Sequence, residues 1–177
     1  MEEKIIIAGF GGQGVLSLGQ FLANMAIAEG QEVTWLPSYG PEMRGGTSNC
    51  MVVVSDKPVA SPIIAYPDCL IAMNLPSLIK FKDQVKKGGT IIINSTLIDF
   101  EQELEGVNII RVPAGEIAHS AGSEKAANIV ALAVYLKARG TFAKETAFLV
   151  IKERFSAKPK LVDINIAAFE AGYNYFS

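Results

Sequence analysis

The sequence predicts an α/β fold: a Rossmann-like three-layer αβα sandwich around a mainly parallel but mixed sheet, built as one domain over residues 1–177. Three observations predict it. Strand-like apolar runs alternate with helical patterns, which implies a largely parallel sheet covered on both faces. Ile5-Ile6-Ile7-Ala8 runs straight into Gly9, Gly11 and Gly14, at the G-x-G-x-x-G spacing of a strand-turn-helix unit. The β-rich run at 48–54 follows its predecessor by too short a connection for a parallel crossover, so it is expected to pair antiparallel.

Taken in order, 4–8 reads as a buried strand. Residues 12–28 read as a helix with Val15, Leu18, Leu22, Met25 and Ala26 on one face. Residues 32–36 form the second strand and 48–54 the third, closed by the turn Ser55-Asp56-Lys57-Pro58. A short strand at 68–72 and a short helix at 75–85 follow. Strands at 90–94, after the Gly88-Gly89 turn, and at 108–112 complete the sheet. Ser123 is a good N-cap for a helix over 123–137 that Gly140 stops, and His119 falls just ahead of that helix. Thr146 and Asp163 are suited to cap or start two further helices, at 146–155 and 163–174.

Composition narrows the function. The chain has 177 residues, half of them hydrophobic and 19% charged, as a globular protein requires. A net charge of −2 without basic runs gives nucleic acid and anionic membranes no footing, and no apolar stretch reaches the ~18 residues of a membrane span. Met1-Glu2-Glu3-Lys4 leads directly into a strand and does not read as a signal peptide. Cys50 and Cys69 lie in apolar surroundings, as buried thiols of a reducing compartment do, so a cytoplasmic protein is expected. Two cysteines are too few for an iron–sulfur cluster that needs four, and a single histidine argues against zinc. No metal site is therefore expected in this chain. The mean hydropathy of +0.29 predicts an exposed apolar surface, and with it a symmetric homodimer when the chain is isolated.

The candidate binding residues fall in two segments. In the first, Gly9 permits a tight turn, Gly11 lets backbone approach a phosphate, and Gly14 lets the helix pack closely. Gly12 and Gln13 complete this turn, and the unpaired amides of the helix start favour an anion. The second segment, residues 37–49, follows the second strand and should lie at the carboxyl edge of the sheet. There Ser38, Tyr39, Arg44, Gly45, Gly46 and Thr47 offer hydroxyls, an aromatic ring, backbone amides and a guanidinium to a phosphate. A stand-alone nucleotide-binding oxidoreductase is the competing reading. Its NAD form wants a carboxylate at the end of the second strand, whereas Val33-Thr34-Trp35-Leu36 runs into Pro37-Ser38-Tyr39. Catalytic residues are not expected. His119 reads as solvated or capping, Glu42 has no activating neighbour, and no G-x-S-x-G or P-loop lysine occurs.

Gly9-Phe10-Gly11-Gly12-Gln13-Gly14, the segment from Pro37 to Thr47 and Ser55-Asp56-Lys57-Pro58 together resemble the gamma subunit of 2-oxoacid:ferredoxin oxidoreductases. The likeness extends to Ala168-Phe169-Glu170-Ala171-Gly172 and is nearest to the 2-oxoglutarate and 2-ketoisovalerate types. It implies a complex that decarboxylates a 2-oxoacid, passes the acyl group to coenzyme A and reduces ferredoxin. It further implies alpha, beta and small ferredoxin-like partner subunits, which carry the thiamin diphosphate, magnesium and iron–sulfur clusters. On this reading the isolated chain is colourless and inactive. A gamma-like subunit of indolepyruvate:ferredoxin oxidoreductase is the alternative within the same chemistry.

Overall fold

The computed structural model describes residues 1–38 and 47–176. Its centre is β1 (Glu2–Phe10), in which Ile5, Ile6, Ile7 and Ala8 have no exposed surface. Burying each isoleucine contributes roughly 1.5–3 kcal/mol. After α1 (Val15–Ala28), the chain forms β2 (Glu32–Ser38), β3 (Thr47–Ser55) and β4 (Cys69–Ala72). Then come α2 (Leu75–Phe81), extended by a 3-10 turn at Lys82–Gln84, and the strands β5 (Thr90–Asn94) and β6 (Asn108–Val112). Four helices close the chain: α3 (Ala114–Ala121), α4 (Ala127–Arg139), α5 (Lys144–Arg154) and α6 (Pro159–Tyr173).

The sheet order is β2-β3-β1-β4-β5-β6. β3 pairs antiparallel with both β1 and β2, whereas β4, β5 and β6 continue parallel from β1. The mixed sheet and the antiparallel third strand agree with the sequence-based expectation. The position of β3 was not anticipated: it inserts between β1 and β2 and leaves β2 as an edge strand.

The helix starts differ from those the sequence suggests. α1 begins at Val15 rather than Gly12, because Gly12 and Gly14 hold φ at +91° and +72°, outside the right-handed helical region. Residues 114–121 form a helix that the sequence reading missed, so His119 lies in its last turn as well as ahead of the next helical segment. Ser123 caps a 3-10 turn at Glu124–Ala126, and α4 proper starts at Ala127. α6 starts at Pro159, where a ring with fixed φ suits the first turn, and Asp163 lies inside it. α5 starts at Lys144, and its start is tied to the end of α1 through Glu29. Glu29 Oε1 accepts from the Ala143 amide at 2.9 Å and from Thr146 Oγ1 at 2.7 Å.

The two faces of the sheet are covered unequally. Ile5, Ile7, Cys50, Val52, Ile71 and Ile92 pack under α1 and α3 to α6. Ile6, Ala8, Val53, Leu70, Ile91 and Ile93 are covered by α2 and by irregular chain that supplies Ile64 and Ile98. At the amino end of β1, Arg139 makes two hydrogen bonds to Glu3, Nε to Oε1 at 2.7 Å and Nη2 to Oε2 at 2.9 Å. This pair joins the first strand to the end of α4.

Two predictions follow from this packing. Arg139→Met leaves a largely buried carboxylate unpaired and should lower unfolding free energy by about 2–3 kcal/mol. Adding Glu3→Leu should recover most of that loss in urea titrations. The cysteines supply the second. Burial pushes the Cys50 thiol up to about 12 and raises Cys69 in the same direction. The folded chain therefore holds both protons where unfolded thiols ionise, near pH ~8.5, and stability falls as pH rises above that value. Neither thiol should react with Ellman's reagent at pH 8 until denaturant is added, and both should react afterwards.

Candidate functional site

The glycine turn leaves the carboxyl end of β1 at the point where the sheet changes direction of growth, between β1 and β4. Open α/β sheets bind ligands at such crevices. The first backbone bond of α1 runs from the Leu18 amide to the Gly14 carbonyl at 2.9 Å. The amides of Val15, Leu16 and Ser17 therefore have no partner within the helix, and no side chain caps them. No acidic residue occupies that first turn, so the positive end of the helix dipole is not neutralised locally.

The glycines serve packing as much as approach. Gly9 lies in β1 itself, where a Cβ would come within 2.6 Å of Gln13 Oε1 and 2.8 Å of Met73 Cβ. Gly14 faces α4: a Cβ there would meet Asn128 Nδ2 at 2.5 Å, and that amide donates to the Gly14 carbonyl at 3.2 Å. Gln13 is a brace for the turn. Its Oε1 accepts from the Phe10 amide at 2.6 Å, and its Nε2 donates to the Met73 carbonyl at 3.1 Å. At Gly12 a notional Cβ would meet nothing within 4 Å.

Two clefts meet at Gly12 and Lys125. One, about 540 Å³, runs from Gly12 and Gln13 past Met73, Asn94 and Leu97 to Glu116, His119 and Glu124. Its rim is more acidic than basic. Thr96 orders its floor, accepting from the Gly115 amide at 3.0 Å. His119 Nδ1 lies 3.4 Å from Glu124 Oε1, with both side chains about three-quarters exposed, so the histidine sits solvated on the rim. The second cleft, about 460 Å³, is lined by Gly12, Gly14, Ser17, Ser123, Lys125 and Arg154 among others, and by no carboxylate. Among the described residues, neither Lys125 nor Arg154 makes an ion pair. Free amides, two hydroxyls and two cations thus converge on one concave surface, an arrangement suited to phosphate.

Of the candidates named from sequence, Gly11, Gly12, Gln13 and Gly14 form the turn, and Gly9 precedes it as a paired residue of β1 rather than as a turn residue. Thr47 pairs with Phe10 and Ser38 with Asn49, so the ends of the second segment reach the same edge of the sheet. Tyr39, Arg44, Gly45 and Gly46 lie outside the described residues, as does Glu42. Sequence reasoning missed Ser17, Lys125 and Arg154. Ser17 and Lys125 stand in helix starts and could have been found by tracing which helices begin at the carboxyl edge. Arg154 ends a helix and had no local signal. The dinucleotide reading meets a further obstacle in the topology. β3 separates β2 from β1, which sets the end of β2 one more strand spacing, about 4.8 Å, from the glycine turn.

Residues 4–175 match the pyruvate ferredoxin/flavodoxin oxidoreductase family model, and the chain belongs to that family. It is 45% identical to the ketoisovalerate oxidoreductase subunit VorA of Methanothermobacter marburgensis, over 98% of this chain but only 36% of that protein. It is 36% identical to the 2-oxoglutarate synthase subunit KorC of the same organism, covering 97% of this chain and 95% of that one. Among solved structures, it superposes with a TM-score of 0.89 on 2-oxoglutarate:ferredoxin oxidoreductase from Magnetococcus marinus, described with 2-oxoglutarate, coenzyme A and succinyl-CoA bound. The identity there is 25%, over 99% of this chain and 32% of that one. The chain thus spans about a third of the longer proteins it matches and nearly all of the shorter subunit.

The turn geometry separates two glycines experimentally. Gly14→Ala forces a side chain into Asn128 at a positive φ and should cost about 3–4 kcal/mol. Gly12→Ala meets no atom and should cost about 1–2 kcal/mol from backbone strain alone. Chemical denaturation of both variants checks the ordering.

Proposed function

We propose that this chain, as one domain over residues 1–177, is the gamma-type subunit of a 2-oxoacid:ferredoxin oxidoreductase of the 2-oxoglutarate or 2-ketoisovalerate type. Nearly full-length similarity to a 2-oxoglutarate synthase subunit carries the reading, together with the family match over 4–175. The complex would oxidatively decarboxylate a 2-oxoacid to its acyl-CoA with reduction of ferredoxin. In this reading, thiamin diphosphate, magnesium and the iron–sulfur clusters belong to the alpha, beta and small ferredoxin-like subunits, and the assembly is cytoplasmic.

The part assigned to this chain is to hold coenzyme A by its phosphates. Backbone amides at Gly11, Gly12 and Gly14 and at the start of α1, the Ser17 and Ser123 hydroxyls, and the Lys125 and Arg154 cations would receive them. The bound coenzyme A in the Magnetococcus complex supports this assignment. Arg44, with Gly45, Gly46, Ser38, Tyr39 and Thr47, is proposed from sequence as a further guanidinium and amide contact. Such a cradle fixes one end of a long substrate and presents its thiol to chemistry on another subunit. Positioning of this kind lowers KM without contributing a proton or electron.

Kinetics on the assembled complex test the reading. Lys125 and Arg154 are solvent-exposed, so each alanine variant should raise KM for coenzyme A by about 3- to 10-fold. Arg44→Ala should raise it by about 10-fold or more if its guanidinium clamps a phosphate from two points. KM for the 2-oxoacid should stay unchanged. Unaltered coenzyme A dependence in all three variants, in complexes of normal size, would exclude the phosphate cradle.

A further inference from the structure

The thinly covered face of the sheet exposes several large apolar side chains. Residues 58–67, Pro-Val-Ala-Ser-Pro-Ile-Ile-Ala-Tyr-Pro, contain no charged side chain, yet Ile63 and Tyr66 are 68% and 66% exposed. The segment is anchored at Ile64, which joins the buried cluster and whose amide donates to Met51 Sδ at 3.3 Å, and at its end by the buried Pro67, whose carbonyl accepts from the Lys86 amide at 3.0 Å. The Met51 contact lays the segment over β3. Beside it α2 covers β1 and β4 and turns Leu75 and Ile79 outward, one helical turn apart. On the other flank Leu36 of β2 pairs with Met51 and is also exposed.

Segment, helix and edge strand therefore offer aliphatic and aromatic side chains side by side on one face. Among the described residues, the opposite, helix-covered face exposes Ile27 on α1, Leu149 on α5 and Tyr175 after α6, on separate elements. Depletion of charge with enrichment in aliphatic and tyrosine side chains is the composition of an interface core. Pro58, Pro62 and Pro67 restrict the segment before any partner arrives, which lowers the entropy lost on docking.

The lengths of two relatives bear on the choice of occupant. In two matched proteins this unit is 36% and 32% of a longer chain, so the same fold is there tethered to further protein. The geometry points to the face formed by residues 58–67 and α2 as the docking surface for a non-identical protein chain with an apolar, charge-poor counterpart. That chain would correspond to the additional mass in the longer relatives. The inference rests on the functional reading only in assuming that such a partner exists.

The test uses the complex isolated from its own host through a tag on this chain, sized by gel filtration and identified by mass spectrometry. Ile63→Glu with Ile79→Glu should weaken association with the partner chain by about 30-fold or more while thermal melting stays near the parent value. Ile27→Glu with Leu149→Glu, on the opposite face, should leave the complex intact. Hydrogen exchange at 58–67 and 75–80 should slow in the complex relative to the free chain. A complex retained by the Ile63/Ile79 variant without such protection overturns the proposal. So does a complex from the host in which a second copy of this chain, and no other protein, occupies the face and is released by the same variant. Loss of the partner by this variant, from a complex without 2-oxoacid-dependent acyl-CoA synthesis, would uphold the docking face and reject the enzymatic reading instead.

Discussion

The burial of β1 on both faces and both edges governs the structure. Four consecutive residues, Ile5 to Ala8, are sealed from solvent, which requires a neighbour strand on each side and a layer above and below. The neighbours run in opposite senses, β3 antiparallel and β4 parallel, so the sheet grows away from β1 in two different ways. The strand can end only by a turn that clears Gln13, Met73 and Val15, and a glycine at position 9 is what the available space allows. The position of the glycine turn, and of the cleft beside it, follows from the burial of the strand that feeds it.

The same constraint organises the charges. A helix that starts immediately after a buried strand exposes its first amides at the sheet edge, and the start of α4 is brought against it through Asn128. Lys125 lies just before α4 and Arg154 at the end of α5, so both cations reach the same concavity from different elements. The acidic side chains Glu116 and Glu124 line the neighbouring cleft. A phosphate and an uncharged portion of one extended molecule would thus find adjacent but electrostatically different surroundings. The Arg139–Glu3 pair lies at the opposite end of β1, where it secures the core and takes no part in the site.

Unequal covering of the two sheet faces separates the fold from its assembly. Among the described residues, five helices shield one face, and the other carries one seven-residue helix with irregular chain beside it. A doubly covered sheet normally presents polar helix surfaces to water on both sides. Here the second layer ends in Ile63, Leu75 and Ile79, whose side chains gain nothing from hydration, and in Tyr66, whose ring is apolar apart from its hydroxyl.

The sequence by itself determined the strands and their periodicity, the glycine turn, the antiparallel third strand and the family, because each depends on local pattern, connection length or residue identity. Strands at 90–94 and 108–112 were legible to the residue, since β-branched runs bounded by turns have few alternatives. α3 was not: it begins after Pro113 and contains Gly115, a poor helix former retained because a Cβ would press on Thr96 at 2.9 Å. Only the tertiary structure decided that β3 lies between β1 and β2, that Glu29 ties down the start of a helix 114 residues further along, and that Arg154 joins Lys125 beside Gly12. These are contacts between segments far apart in the chain. Their partners are selected by how buried faces stack, and no window of local sequence contains that information.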